Sequence, residues 1–251
     1  MKSQKHNAIL SIAGYDPSGG AGVLADCKTF EQIGEYGCAI STAITYQNDV
    51  DFGGLNWLSF EEIEKQFQSL EKRFEFRFVK IGLIENLNTL SRCISMLRTY
   101  DPNIKIIWDP ILKASAGFQF HANMNEAFAR QILNEIYLIT PNIEEAKELN
   151  LVSGNTHGNI LFKGGHDAGN ESIDTLYENG EKTEFKETRL NGYSKHGSGC
   201  VLSAAITAYL NKSYSLKDAC KEAKQYTLSF LKSSPGRIGF HFLIPTHEIA
   251  G

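Results

Sequence analysis

The regular alternation of strand-like and helical segments most restricts how this chain can fold. Short runs rich in β-branched residues fall at 8–14 (AILSIAG), 39–45 (AISTAIT), 78–82 (FVKIG), 104–109 (IKIIWD), 136–140 (IYLIT) and 160–165 (ILFKGG). Helical periods occupy 21–34, 60–74, 86–100, 124–134 and 143–149 between them, and 199–211 and 216–232 after them. That alternation predicts an α/β fold with a mostly parallel central sheet flanked by helices on both faces. Around Asn179-Gly180 the pattern changes to an antiparallel hairpin, because Asn-Gly favours a type I′ turn. No linker, repeat or shift in composition divides the 251 residues, so one domain over 1–251 is expected.

Composition narrows the partners. A formal charge of −4 and no block of Lys or Arg give no electrostatic reason to expect nucleic acid or an anionic membrane. The apolar stretch before Gly14 is too short for a signal peptide or a membrane span. Five irregularly spaced cysteines do not form a disulfide framework, which points to reduced thiols and a cytoplasmic protein.

In such sheets ligands sit beyond the carboxyl ends of the strands. The junctions there read AGYDPSGGAG, KIGLIEN, WDPILK, TPNIEEA, KGGHD and KHGSGC. Gly20-Ala21-Gly22-Val23-Leu24-Ala25 formally matches a dinucleotide fingerprint. It does not follow its strand directly, however, and no acid ends the second strand. P-loop, GxSxG, HExxH and CxxC signatures are absent from the sequence.

Asp26 lies on the same helical face as Val23, Phe30 and Ile33, within about 60° at 100° per residue. A carboxylate on an apolar arc needs a partner, either a core residue or a ligand near the first junction. Asn142 and Glu145 are spaced as a helix cap and a first-turn acid, the commoner fate of such a pair, and also as a pair facing a cation. Asp109 and Lys163 each end a strand at a junction. Together they supply acids for Mg²⁺ and a lysine for phosphate, the equipment of phosphoryl transfer.

In KHGSGC, glycines lead into a helix, so converging backbone N–H groups and the helix N-terminus suit an anion. The same field would lower the pKa of Cys200 and make it a base or nucleophile. A small buried residue packed under the helix is the other reading. Cys27, Cys38, Cys93 and Cys220 lack such a setting and read as packing residues.

Taken in order, AGYDPSGGAGVLADCKTF, TAITYQND, VKIGLIEN, WDPIL, ITPNIEEAKEL, FKGGH and KHGSGCVLSAAI resemble blocks of the ribokinase-like superfamily. Within it they resemble the hydroxymethylpyrimidine/phosphomethylpyrimidine kinases of thiamine biosynthesis, over nearly the whole chain. The cysteine in HGSGC is typical of that branch, where most of the superfamily carries an aspartate. The resemblance implies a ribokinase-like three-layer sandwich. It also implies ATP-dependent phosphorylation of the pyrimidine alcohol, with a second phosphorylation of the monophosphate at the same site.

Carried over by motif, Gly14, Asp26 and Gln47 would hold the pyrimidine, with Thr45, Leu83 and Ile111 lining its pocket. Lys163 and the backbone of Gly197, Ser198, Gly199 and Cys200 would hold the ATP phosphates and the group in transfer. Asn142 and Glu145, with Asp109 nearby, would organise Mg²⁺ through water, and Cys200 would take the hydroxymethyl proton. On this reading the partner of Asp26 is the ligand. A homodimer is implied too, and the strands near 45–57 are the candidate lid.

The sequence departs from the family in places. Ser198 stands where threonine is usual, and Leu24 and Leu83 where glutamine and methionine are common. The stretch ELNLVSGNTHGN is a shortened crossover at 150–159, which bears on ATP affinity or subunit packing. The rival readings are a pyridoxal or pyridoxine kinase, a non-catalytic pyrimidine sensor and, more distantly, a dinucleotide oxidoreductase.

Overall fold

The structure, a computed structural model, describes residues 5–111, 131–151, 158–164, 171–190, 192 and 194–241. Its elements run β1 (His6–Tyr15), α1 (Gly22–Ile33), β2 (Gly37–Gln47), β3 (Phe52–Trp57), α2 (Phe60–Leu70), β4 (Phe74–Ile81), α3 (Leu87–Tyr100) and β5 (Lys105–Trp108). They continue with β6 (Leu138–Ile139), α4 (Ile143–Glu148), β7 (Asn159–Phe162), β8 (Glu171–Glu178), β9 (Glu181–Thr188), α5 (Ser198–Asn211) and α6 (Leu216–Lys232). The nine strands form one sheet in the order β3-β2-β1-β4-β5-β6-β7-β8-β9. Pairing is parallel from β2 to β7, and antiparallel at β3 and at β8–β9. The mostly parallel α/β sandwich is therefore the observed fold.

Both faces of the sheet are packed, which is why its central strands read as unbroken apolar runs. On one face, α2 and α3 cover Leu10, Ile12, Val79, Ile81 and Ile106. On the other, α1, α5 and α6 cover Ile9, Phe78, Ile107, Leu138 and Leu161. Helix α5 is buried nearly all round, from Cys200 to Leu210. Its Ser203 and Thr207 satisfy their hydroxyls on the carbonyls of Gly199 and Ser203 one turn back.

The expected hairpin is present. Glu178 pairs with Glu181, and Asn179 and Gly180 both have positive φ (52° and 84°), as a type I′ turn requires. The expected strand at 136–140 shrinks to Leu138–Ile139. Most of the helix expected at 124–134 lies outside the described residues, which show helix at 131–133. Within the shortened crossover, 152–157 also lies outside them, while Leu149 and Leu151 are buried.

The helix starts divide into two kinds. α2, α3, α4 and α6 are each capped by a side chain, from Ser59, Asn86, Asn142 and Ser215. Helices α1 and α5 begin at Ala21 and Gly197 without one. A helix start leaves several N–H groups without intrahelical partners. These two helices open toward the same cavity.

Candidate active site

Beyond the carboxyl ends of the parallel strands lies a cavity of about 620 Å³. Gly14, Thr45, Gln47, Leu83 and Ile111 line one part of it. Asp109, Asn142, Glu145, Lys163, Gly197, Ser198, Gly199 and Cys200 line the next. The sequence-derived candidates thus converge on one space, drawn from strand ends far apart in the chain. Gln47 and Phe52 bring the ends of β2 and β3 to its wall.

Asp26 is the exception. It is absent from the cavity wall and fully buried, and both its oxygens accept from Lys80 Nζ, at 2.9 and 2.8 Å. Ser11 Oγ adds a hydrogen bond at 2.6 Å. Burial raises the Asp26 pKa, against the pull of the Lys80 ammonium and the Ser11 hydroxyl. In the structure its partner is a core lysine, Lys80. The apolar arc on α1 revealed the need for a partner, but Lys80 comes from β4, 54 residues away.

Cys200 sits at the first turn of α5, within the cavity wall yet nearly buried. The lowering expected from the helix start is opposed by burial. Burial pushes Cys200 up to about 11; Lys80 and the Gly22 N–H pull it back only partly, and Asp109 and Asp26 oppose them. Desolvation outweighs the helix terminus here.

The turn preceding α5 is built for close approach. Gly197 has φ 73°, and a Cβ there would lie 1.9 Å from the Gly20 carbonyl oxygen. Gly22 has φ 60°, and a Cβ would meet the Gly14 carbonyl at 2.0 Å. Each position therefore excludes any side chain. With them, the starts of α1 and α5, neither capped by a side chain, meet at the cavity, a setting that suits an anion.

Lys163 is the hub of the ionic part. It donates to Asp109 Oδ1 at 2.7 Å and lies 3.7 Å from Glu145 Oε2. Asp109 also accepts from Thr140 at 3.2 Å and from Ser203 at 3.1 Å. Burial raises Glu145 to about 7, Lys163 counteracting and Asp109 reinforcing the rise. Lys163 itself is raised: its carboxylate neighbours outweigh the cost of burial.

Asn142 and Glu145 also form a full capping box, with Asn142 N donating to Glu145 at 2.7 Å and Glu145 N to Asn142 at 2.9 Å. The expected metal set is therefore not gathered as a cage: among the described residues no group of three His, Cys, Asp or Glu could hold an ion. The two carboxylates, Asp109 and Glu145, beside Lys163 suit an ion that keeps several of its waters, as Mg²⁺ does.

Sequence reasoning missed several neighbours. Asp16 and His196 join the two loops at the cavity mouth, 2.8 Å apart. Lys195 donates to Ser234 Oγ at 3.0 Å and to the carbonyls of Ser234 and Gly236, strapping residues 234–237 over the turn. Lys224 pairs with Asp174 at 2.8 Å in the far wall. The signals were faint: an Asp opening a Pro-Ser-Gly-Gly turn, and a His just before the glycines.

Comparison with known proteins agrees with the geometry. The family model described as phosphomethylpyrimidine kinase matches residues 16–243. This chain belongs to the phosphomethylpyrimidine kinase family. It is 32% identical over 241 residues to a hydroxymethylpyrimidine/phosphomethylpyrimidine kinase of Aquifex aeolicus, covering 90% of this chain and 94% of that one. A crystal structure of phosphomethylpyrimidine kinase from Clostridium difficile is 30% identical with a TM-score of 0.73, covering 89% of this chain and 98% of that one. Pyridoxal kinase from Staphylococcus aureus, in complex with AMP-PCP and pyridoxal, is 25% identical with a TM-score of 0.78, covering 92% and 89%.

Proposed function

We propose that this kinase transfers the terminal phosphoryl group of ATP to 4-amino-5-hydroxymethyl-2-methylpyrimidine, and then phosphorylates the monophosphate to the diphosphate, in thiamine biosynthesis. The observation that carries this reading is the convergence in one cavity of the Gly197–Cys200 turn, Lys163 and the Gly14–Thr45–Gln47 wall, in a chain of this family. Gln47 has the donor and acceptor needed for a ring nitrogen and its amino neighbour. Gly14 offers backbone, while Leu83 and Ile111 supply apolar surface for the ring.

Catalysis on this reading is mainly positioning and charge stabilisation. The N–H groups at the start of α5 would hold the phosphoryl group, and Lys163 would turn from Asp109 and Glu145 to a phosphate oxygen. Asn142 and Glu145, with Asp109 nearby, would hold Mg²⁺, whose charge would offset that of the phosphates. Cys200 would take the hydroxymethyl proton as thiolate. With a pKa of about 11, that form is present in roughly one molecule in a few thousand near pH 7.5. The second step attacks from a phosphate oxygen already ionised and needs no such base.

We further place the protein in the cytoplasm as a homodimer. No helix among the described residues is long and apolar enough to cross a membrane, and the cysteines of the described structure are free.

The test is ATP consumption by the purified protein with Mg²⁺, offering the hydroxymethylpyrimidine and pyridoxal in parallel and resolving products by mass. Preferential pyrimidine turnover with mono- and diphosphate products supports the reading. Turnover of pyridoxal alone would move the enzyme to that branch. Binding of the pyrimidine without any turnover would indicate a sensor.

A further inference from the structure

The loop at 16–22 and the turn at 196–200 touch in three ways. His196 Nε2 meets Asp16 Oδ2 at 2.8 Å, and both side chains are buried, at 5% and 1% exposure. Gly197 packs directly on the Gly20 carbonyl. The Gly22 N–H faces the Cys200 sulfur and pulls its pKa down. The first contact spans 180 residues of sequence.

Asp16 is the hub of its own loop. Oδ1 accepts from Ser18 N at 2.9 Å, and Oδ2 from Ala21 N at 2.9 Å; the Ser18 hydroxyl reaches both oxygens. Burial opposes ionisation of Asp16, but the hydrogen bonds from His196 and Ser18 prevail and its pKa is lowered. An ionised carboxylate can only accept, so His196 Nε2 carries the proton. On the other side, the backbone N–H of His196 donates to the Arg237 carbonyl at 2.9 Å. The imidazole ring lies against Gly20, whose Cβ would meet it at 2.6 Å. His196 therefore has no room to swing while the pair is made.

We infer that the Asp16–His196 pair is a clasp that fixes the register between the substrate-side loop and the phosphate-side turn, which makes His196 a positioning residue of the transfer reaction. One side of the clasp carries Gly22 and the start of α1; the other carries Gly197 to Cys200. A shift of about 1 Å between them would misalign the acceptor alcohol and the phosphoryl group, an error that costs on the order of 10²-fold in rate. Ground-state binding of the pyrimidine, held by Gly14, Thr45 and Gln47, would change little. This kinetic consequence rests on the kinase reading above, whereas the mechanical coupling of the two loops does not.

The experiment compares His196→Gln with His196→Asn. The Gln amide can take the place of Nε2 and still donate to Asp16, whereas the Asn amide is too short to reach it. We expect His196→Asn to lose about 10- to 100-fold in kcat with the pyrimidine KM within threefold, and His196→Gln to restore most of it. Amide hydrogen exchange at 18–22 and 196–200 should accelerate together in His196→Asn and not in His196→Gln. If both variants turn over at parental rate, or only one of the two loops loosens, the clasp is wrong. If the parent enzyme shows no pyrimidine turnover, the kinase reading fails, and the exchange experiment still decides the clasp. Should His196→Asn fail to fold, His196→Ser, which removes the ring and leaves the other Asp16 contacts in place, gives the same two readouts.

Discussion

Replacing Asp26 with Asn separates two roles that a buried carboxylate beside an active site can have. In the structure both members of the Lys80–Asp26 pair have no exposed side-chain surface. The amide would keep the shape but remove the charge, leaving the Lys80 ammonium buried without a counterion. Breaking one half of such a pair costs about 3–5 kcal/mol, because the remaining charge keeps its desolvation penalty. For a chain of this length each kcal/mol lowers Tm by about 2–4 °C, so a fall of roughly 6–20 °C is expected. The double variant Asp26→Asn/Lys80→Met should recover most of that loss, since no unpaired charge remains and the methionine fills a similar volume.

Urea unfolding of the parent, both single variants and the double variant gives the coupling directly, and pyrimidine affinity is measured on the same samples. The core-pair reasoning predicts a large stability loss in Asp26→Asn that Lys80→Met offsets. It is refuted if Asp26→Asn stays within about 1 kcal/mol of the parent while pyrimidine binding collapses. That result would make the ligand, and not Lys80, the functional partner of Asp26.

Cys200→Ala should slow phosphorylation of the alcohol by about 10²-fold and that of the monophosphate much less; equal losses would leave Cys200 without a role as base. Because its thiol sits at about 11, the first-step rate of the parent should climb about tenfold per pH unit between pH 6 and 9, and a flat single-turnover profile would contradict this. Glu145, raised to about 7, favours the protonated form in the fold. Its stabilising contribution is complete below the ordinary glutamate value and is lost as pH rises through about 7. Urea unfolding of Glu145→Gln should therefore lack the decline between pH 5 and 7 that the parent shows. Gly197→Ala places a Cβ 1.9 Å from the Gly20 carbonyl in a left-handed backbone; it should lower Tm and abolish turnover, and an active, stable variant would refute the need for that approach.

Periodicity made the sheet, the flanking helices and the Asn179-Gly180 hairpin legible, because each depends on neighbours in sequence. The candidate site was legible for the same reason: strand-end residues such as Asp109 and Lys163 can only face one crevice in a parallel sheet. What did not show was pairing across the sheet. The arc around Asp26 announced a missing partner, but nothing in FVKIG marks Lys80 as the one, since a lysine in an apolar strand is usually a snorkelling side chain. The burial that works against an acidified thiol was hidden for a related reason. Glycines and a helix start are local features, while the desolvation that dominates Cys200 comes from the packing of α1 and β4 around it. Asn142 and Glu145 form the cap and also line the cavity, so the structure shows the first of the two readings that spacing left open and leaves room for the second.

The position of α5 also bears on how the protein is made. The sheet face formed by Ile9, Phe78, Ile107, Leu138 and Leu161 is covered largely by α5 and α6, which span 198–232 near the end of the chain. While the chain emerges from its N-terminus at about 5–20 residues per second, that face stays open to solvent for many seconds. Nascent chains halted before residue 198 would present an apolar trough and no anion-binding turn. Such chains are the ones a chaperone should hold, and release should coincide with the arrival of the helix that completes the site.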